Sequence, residues 1–401
     1  MNVVKVDSII NPVVAEFITE GIDKSSKDGA VCMIIELDTP GGLDLSMRTI
    51  VKAMLNADIP IVVYVSPSGA RAASAGVMIT LASNIAAMTP GTNIGAAHPV
   101  ALGAKKIDKA MEEKVVNDAV AYVKSIAAKR GRNVKWAEEA VRKSVSITEK
   151  EALSLKVIDL IAPDIETLLD EIDGKTVTTG AGTVTLHTKG AEPVFITMGT
   201  RRNILNVLSN PNIAYILMML GLLGLYFELS HPGVIFPGVV GGICLILAFF
   251  AFQTLPINYA GILLIILAII LFIAEVKVTS FGLLTIGGII SMLLGSLMLF
   301  ESPLPYLRVS WAVLIPVVLA TSALFILTAT LAFRAFISKP TTGVEGLVGE
   351  IGVAKTKIYR QGKVFVHGEY WNAYSEEVIP EGESVKVLSI DNLRLKVEKL
   401  E

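Results

Sequence analysis

Ser74 is the residue whose type and setting most favour covalent chemistry. The apolar, β-branched residues 59–65 precede it and predict a strand buried on both faces of a parallel sheet. The Ala/Gly-rich residues 72–81 predict a helix, so that Ser74 lies near a helix N-terminus, where unpaired N–H groups gather. A hydroxyl placed there is a candidate nucleophile for a carbonyl carbon, although an isolated serine in such a turn more often only caps the helix.

Gly41 and Gly42 follow the preceding predicted strand, so their turn opens on the same sheet edge as Ser74. A Gly-Gly turn lets main-chain N–H groups face a ligand without hindrance from a Cβ atom. We predict that the N–H groups of Gly42 and Ala75 form an oxyanion hole, each worth roughly 3 kcal/mol in the transition state. Taken alone, the Gly-Gly pair fits an ordinary strand–helix turn equally well.

Two residues compete for the role of general base. His98 needs a carboxylate to orient its imidazole, and residues 142–145, the loop best placed to supply one, contain no acid. Lys114 opens a predicted long amphipathic helix, and a desolvated lysine whose pKa falls to about 7–8 can act as a base without a third partner. A lysine on such a helix is more commonly solvated, and Glu113 and Asp118 would keep Lys114 charged.

The elements that must hold these residues belong to a chain that is too apolar for an ordinary soluble protein. Of its 401 residues, 52% are apolar and only 18% are charged, and the mean hydropathy is +0.62. Five stretches are long enough, or nearly so, to span a bilayer: residues 212–227, 234–252, 258–274, 280–300 and 309–333. Their frequent glycines predict a closely packed helix bundle rather than a pore.

Charge and cysteine content exclude other classes of protein. The net charge is −2 and no basic run is present, so we expect no nucleic-acid partner. No cluster of cysteines and histidines has metal-ligand spacing, and we expect neither a metal nor a cofactor. Cys32 and Cys244 lie in parts of the chain that should not meet, which predicts that no disulfide joins them.

Three domains follow from the patterns. Residues 1–200 alternate predicted strands and helices, which indicates an α/β domain with a parallel sheet. Residues 211–334 form a transmembrane bundle of about five helices. Residues 342–401 contain several short alternating strands with glycine turns, which predict a small β-barrel that serves for docking or assembly.

The sequence resembles the NfeD family of membrane-bound serine proteases. The resemblance covers nearly the whole chain and is carried by residues 38–42, 68–76, 88–100, 114–119, 131–133, 231–233 and 362–369. It implies a ClpP/crotonase-like fold for the protease domain and an OB-type fold for the C-terminal NfeD domain. It also implies a Ser–Lys dyad, for which Ser74 and Lys114 are the matching positions, and stomatin-like membrane proteins as partners, whose hydrophobic segments studied members cleave.

The resemblance also bears on location and assembly. A predicted strand begins almost at Met1, so we expect either that the soluble half stays in the cytoplasm or that the chain has lost a leader, whereas the resemblance favours an extracytoplasmic protease domain in the cell membrane. The apolar face of the helix that carries Lys114, together with the resemblance, suggests a homodimer of protease domains. Membrane lipid and apolar peptides are the other expected partners.

Three functions can be compared on these grounds. The leading hypothesis is a membrane-anchored serine endopeptidase with Ser74 as nucleophile and Lys114 as base, which cleaves hydrophobic segments of stomatin-like membrane proteins. The alternative is a non-catalytic membrane scaffold that partners stomatin- or flotillin-like proteins. A crotonase-like acyl-CoA enzyme would share the oxyanion hole, but it gains nothing from a nucleophilic serine and fits poorly with membrane anchoring.

Overall fold

The computed structural model describes residues 1–100, 108–230, 233–253, 255–278, 280, 282–302, 304–337 and 344–400. These residues form two compact units. The first consists of Met1–Leu271 and Leu284–Ser322, and the second of Phe272–Leu283 and Ala323–Glu401.

The first unit begins with alternating strands and helices, as predicted. The strands are β1 (Asn2–Asp7), β2 (Met33–Asp38), β3 (Ile61–Val65), β4 (Arg71–Ala72), β5 (Ile85–Met88), β6 (Asn93–Gly95), β7 (Ser146–Thr148), β8 (Leu160–Ile161), β9 (Thr176–Thr179), β10 (Gly182–Thr185) and β11 (Val194–Ile196). The helices are α1 (Pro12–Lys27), α2 (Asp44–Leu55), α3 (Ala75–Ala82), α4 (Lys109–Lys129), α5 (Val134–Arg142), α6 (Glu149–Ser154), α7 (Ile165–Ile172) and α8 (Thr200–Leu208).

Six strands form the main sheet in the order β11-β1-β2-β3-β5-β8. Every neighbouring pair in this sheet is parallel. Parallel strands require crossover connections, which the intervening helices supply. The predicted α/β class with a parallel sheet is therefore confirmed.

The main sheet is buried on both faces, which explains why its strands lack polar alternation. In β3, Val63 and Val65 point into the larger core, formed with α1 to α5, while Val62 and Tyr64 point into a smaller core beneath α7. The Tyr64 hydroxyl donates to the carbonyl oxygen of Ala162 at 2.9 Å. Both cores fix the sheet whose carboxyl edge carries the candidate site.

The predicted helix start at Ala72 is wrong. Arg71 and Ala72 form β4, which pairs with β6 in a second, three-stranded sheet of order β4-β6-β7, and α3 begins only at Ala75. Thr39 donates its N–H to the Arg71 carbonyl at 2.8 Å and accepts the Ala73 N–H at 3.1 Å. Because these backbone groups pair across the chain, residues 71–73 do not enter the helix.

The apolar block contains α9 (Pro211–Ser230), α10 (Ile235–Phe252), α11 (Tyr259–Lys277), α12 (Leu283–Met298) and α13 (Trp311–Ile337). Four helices are long and apolar enough to cross a membrane, namely α9, α10, α11 and the part of α13 up to Leu331, whereas α12 is a shorter apolar helix. Glycines allow close helix approach, as predicted. A Cβ on Gly224 would lie 2.8 Å from the Cα of Gly241, and one on Gly295 would lie 2.8 Å from the carbonyl oxygen of Gly261.

The second unit contains the C-terminal strands β12 (Ile351–Ala354), β13 (Gly362–Val366), β14 (Glu369–Tyr374), β15 (Ser384–Asp391) and β16 (Arg394–Lys399). They form a closed barrel in the order β12-β13-β14-β16-β15. Val364, Val385 and Leu395 are fully buried in its centre. The predicted small β-barrel is confirmed.

Candidate active site

Ser74 occupies a constrained position at the N-terminus of α3. It is the residue that precedes the first helical turn, and its φ of 52° lies in the left-handed region that non-glycine residues rarely adopt. Its N–H donates to the carbonyl of Ala96 at 2.7 Å, and its carbonyl accepts the N–H of Val77 at 3.1 Å. The hydrogen bonds on both sides hold the strained backbone, which is a frequent feature of functional residues.

The opposite end of α3 is held by two arginines that sequence reasoning missed. Arg132, whose side chain is 2% exposed, donates to the carbonyls of Leu81 and Ser83 and pairs with Asp159 at 2.7 Å. Arg130 donates to the carbonyl of Ala82 at 2.8 Å. Burial lowers the pKa of both guanidinium groups, that of Arg130 to about 10. Two cations at the C-terminus complement the helix dipole and fix α3 beneath Ser74.

Gly41 and Gly42 form a turn beside Ser74 that no larger residue could replace. Gly41 has a φ of +121°, and a Cβ on it would lie 2.6 Å from the Cβ of Ser74. A Cβ on Gly42 would lie 2.1 Å from the carbonyl oxygen of Ile10. Ile10 also clamps the turn, since its N–H donates to Gly41 and its carbonyl accepts from Leu43, both at 2.9 Å.

The two predicted oxyanion donors have no acceptor within the described ranges. The N–H groups of Gly42 and Ala75 make no hydrogen bond there, although the N–H groups of Gly41 and Ser74 next to them do. Unpaired N–H groups beside a helix N-terminus are suited to bind developing negative charge. Gly42 and Ala75 both line the cavity that contains Ser74.

This cavity has a volume of about 450 Å³ and brings together all four predicted site residues, Ser74, Lys114, Gly42 and Ala75. Most of its remaining wall is apolar and comes from Leu43, Met47, Met78, Ala97, Pro99, Val100, Met111, Val115, Ala119 and Leu304. Lys114 is exposed on α4, and no hydrogen bond joins its Nζ to the Oγ of Ser74 in the described part of the chain. The cavity therefore exposes a serine hydroxyl and a lysine amine on a largely apolar wall.

Of the two carboxylates expected to keep Lys114 charged, Glu113 and Asp118, the second has another partner. Asp118 forms an ion pair with Arg48, which also pairs with Asp44 at 2.8 Å and lies 4.4 Å from the centroid of the Tyr122 ring. No ion pair connects Asp118 with Lys114 among the residues described. Arg48 therefore both links α2 to α4 and offsets the charge of Asp118, which lies one helical turn from Lys114.

The imidazole of His98 contacts the end of α5. Its Nδ1 lies 2.8 Å from the carbonyl oxygen of Val141, and the neighbouring Ala97 N–H donates to Ala140 at 2.9 Å. His98 does not line the cavity that Ser74 and Lys114 share. Its contacts anchor the loop after β6 to the C-terminal end of α5.

Cys32 and Cys244 are both buried free thiols. Burial raises the pKa of Cys32 to about 11, which keeps this thiol protonated and unreactive. Among the described residues, no group of three or more His, Cys, Asp or Glu side chains could hold a metal ion. That the protein uses no metal or cofactor stays a prediction.

Three domain models of one family match the chain in succession. The model of the NfeD1b N-terminal domain matches residues 1–168, and that of the NfeD integral membrane domain matches residues 212–331. The model of the NfeD-like C-terminal, partner-binding domain matches residues 344–399. The division into domains at 1–200, 211–334 and 342–401 stays a prediction.

Two relatives are similar over nearly their whole length. Membrane-bound protease PH1510 of Pyrococcus horikoshii is 38% identical over 387 residues, which are 93% of this chain and 87% of that protein. Membrane protein NfeD1b of Bacillus subtilis is 26% identical over 417 residues, which are 99% of this chain and 92% of that protein.

Solved structures of the 1510-N membrane-bound stomatin-specific protease match about half of this chain. A serine-to-alanine mutant is 35% identical, covers 49% of this chain and 97% of its own, and has a TM-score of 0.47. A lysine-to-alanine mutant in complex with a substrate peptide is 34% identical, covers 52% of this chain and 96% of its own, and has a TM-score of 0.48.

These matches confirm the resemblance that the motifs indicated. The α/β domain with a parallel sheet, the helical membrane block and the small C-terminal barrel of the predicted fold class are confirmed as well. The predicted multi-pass membrane location agrees with the apolar helices and the membrane-domain match. The chain therefore belongs to the NfeD family and is a membrane-bound serine peptidase.

Proposed function

We propose that this peptidase works through a Ser–Lys dyad, with Ser74 as nucleophile and Lys114 as general base, and that it cleaves apolar segments of stomatin-like membrane proteins. The observation that carries the proposal is the single cavity lined by Ser74, Lys114, Gly42 and Ala75. A nucleophile, a base and two unpaired donors are the groups that acyl transfer requires.

Each group has one role in the proposed reaction. The neutral amine of Lys114 takes the proton of the Ser74 hydroxyl while Oγ bonds to the scissile carbonyl carbon. The N–H groups of Gly42 and Ala75 bind the oxyanion that forms. The carbon–nitrogen bond then breaks, and the Lys114 ammonium protonates the departing amine. Water next attacks the acyl-enzyme and gives one proton to Lys114. The bond between the carbonyl carbon and Oγ then breaks, Lys114 returns the proton to Oγ, and the carboxylic acid leaves.

The fixed surroundings of Ser74 support this assignment. Ala96 and Val77 hold its backbone by hydrogen bonds, and the Gly41–Gly42 turn is clamped to Ile10. Donors that are already oriented cost no reorganisation when charge develops, which makes them effective in the transition state.

The cavity wall supports apolar substrates. Leu43, Met47, Met78 and Val115 line it, and such surfaces favour apolar side chains over charged ones. The solved relative is described as specific for a stomatin homologue of Pyrococcus horikoshii, and the C-terminal part of the chain matches a partner-binding domain model. Both are consistent with stomatin-like partners. Homo-oligomer formation and direct lipid binding stay predictions.

The proposal is tested by cleavage of an apolar peptide together with labelling by a fluorophosphonate probe. Full-length protein in detergent should label and cleave, whereas Ser74→Ala should do neither. Lys114→Ala should lose about 10²- to 10⁴-fold in kcat, the usual contribution of a general base. Lys109→Ala, at the exposed start of the same helix, is the matched control and should retain activity.

Two results would contradict the proposal. Cleavage by Ser74→Ala at the wild-type rate would remove the nucleophile assignment. If the folded wild-type protein neither labels nor cleaves while it still captures a stomatin-like partner, the scaffold hypothesis is favoured instead.

A further inference from the structure

The connection between α12 and α13 reaches the cavity that contains Ser74. Leu304 lines that cavity of about 450 Å³, and Leu307 lines a second cavity of about 640 Å³. The two cavities share Gly42 and Leu43. A segment from the membrane block therefore lies against the turn that carries a proposed oxyanion donor.

Tyr306, between these two leucines, places its hydroxyl close to Ser74. A Cβ built on Gly41 would lie 3.1 Å from the Tyr306 hydroxyl and also 3.1 Å from the Ser74 Oγ. Both oxygens thus border the small space that Gly41 leaves free by having no side chain.

The Tyr306 hydroxyl is buried and has no hydrogen-bond partner in the described part of the chain. A buried hydroxyl without a partner is destabilising, and a ligand that supplies an acceptor removes that cost. Burial raises the pKa of Tyr306, against the opposing influence of the Arg71 charge. The hydroxyl consequently keeps its proton and can donate a hydrogen bond.

The segment around Tyr306 is held in place by its own contacts. Leu304 donates its N–H to the Ser302 hydroxyl at 3.1 Å, and the Arg308 side chain donates to the Ser302 carbonyl. Ser310 donates its N–H to the Asn212 side chain at 2.8 Å. Leu307 is 5% exposed. These contacts give the tyrosine a fixed position relative to the membrane helices.

We infer that Tyr306 binds substrate, donating a hydrogen bond from its hydroxyl to a backbone carbonyl of the peptide that lies across Ser74. Leu304 contacts an apolar side chain of the same peptide. This inference rests on the proposed peptidase function and adds a substrate-binding wall supplied by the membrane block. A peptide that leaves the bilayer would meet this wall next to the nucleophile.

Tyr306→Phe in the full-length protein tests the inference because it removes only the hydroxyl. The KM for an apolar peptide should rise about fivefold to tenfold, as for the loss of one hydrogen bond, with kcat nearly unchanged. Labelling by a small fluorophosphonate, which does not extend to Tyr306, should proceed at the wild-type rate. Tyr259→Phe, with a side chain 73% exposed at the start of α11, is the matched control and should change neither quantity.

Leu304→Ala tests the second contact. Selectivity for a peptide with leucine over its alanine counterpart should fall about tenfold, because small differences in apolar contact give discrimination of that order. Its thermal unfolding should match that of wild type.

The outcomes separate the inference from the proposed function. If wild type cleaves and labels but Tyr306→Phe has the wild-type KM, the inference fails while the peptidase assignment stands. If Tyr306→Phe loses probe labelling together with cleavage, the hydroxyl supports the site's structure and the inference is again overturned. If wild type neither labels nor cleaves, the proposed function fails first.

Discussion

The two sides of the proposed active site differ in how firmly the fold holds them. Ala75 is 5% exposed and lies on α3, whose ends are fixed by Ser74 and by Arg132. On the facing side, Met111 is 54% exposed and Val115 is 42% exposed on the first turns of α4. Further along α4, one face is buried through Val123, Ile126 and Ala127. The side with Ser74, Gly42 and Ala75, here called the prepared side, is therefore preorganised by the fold. The side with Lys114, Met111 and Val115, here called the open side, is exposed to solvent.

This difference bears on how a lysine can act as a base. A lysine accepts a proton only through the free electron pair of its neutral amine. A peptide that covers Met111 and Val115 would exclude water from the same surface, and desolvation favours the neutral form of an amine. We expect bound substrate to exclude water from Lys114 and so allow it to act as a base, whereas Ser74, Gly42 and Ala75 are already in position before substrate binds.

Gly41→Ala should give the largest effect because the added methyl group would clash with Ser74 on the prepared side. The added Cβ would lie 2.6 Å from the Cβ of Ser74, at a φ of +121° that alanine avoids. We expect kcat to fall by about 10³-fold or more through displacement of Ser74 and of the neighbouring donor.

Gly29→Ala is the control for backbone strain alone. Gly29 also has a positive φ, of +64°, but nothing lies within 4 Å of an added Cβ. This variant should lose about 1 kcal/mol of stability and keep wild-type kcat. Equal activity of the two variants would show that the contact between Gly41 and Ser74 is not critical.

Arg132→Met should destabilise the prepared side although Arg132 does not line the cavity. It leaves the carbonyls of Leu81 and Ser83 without their buried donor and removes the partner of Asp159. The free energy of unfolding should fall by on the order of 3 kcal/mol in chemical denaturation. Arg142→Met, which breaks an exposed pair with Glu138, should cost less than about 1 kcal/mol.

Arg48→Met should give the smallest effect, on the open side. It frees Asp118, one helical turn from Lys114, to form an ion pair with this lysine, which would engage the candidate base. The kcat/KM should therefore fall by about twofold. Arg48→Met combined with Asp118→Asn should return kcat/KM to the wild-type value, and failure to do so would remove Asp118 from the account.

The sequence predicts the surroundings of Ser74 because the signals there are local. A buried strand, a Gly-Gly turn and an Ala-rich helix indicate one sheet edge for Ser74, Gly42 and Ala75, and all three line one cavity. Their catalytic roles stay a prediction. The start of α3 was predicted wrongly because Thr39, distant in sequence, pairs with the backbone around Ala72. The helix propensity of neighbouring residues carries no information about backbone pairing with a distant residue.

The missed residues act across long sequence distances. Arg132 lies in the turn between α4 and α5 and donates to the C-terminal end of α3. In the sequence, only its place in the Gly-Arg-Asn motif of residues 131–133 marks it as a residue of interest. The spacing on α4 suggested an Asp118–Lys114 interaction, whereas the partner of Asp118 comes from α2. Tyr306 stands between two apolar segments with no motif around it, so only the fold reveals its approach to Ser74.

The most direct test of the account is to locate the covalent adduct residue by residue. The full-length protein is incubated with an apolar peptide ester, quenched in acid, and mapped by tandem mass spectrometry. We predict a single acyl group on Ser74 in wild type and none in Ser74→Ala, with much slower acylation in Lys114→Ala than in Lys109→Ala. An acyl group on another residue, or acylation that is equally fast in both lysine variants, would contradict the proposed dyad.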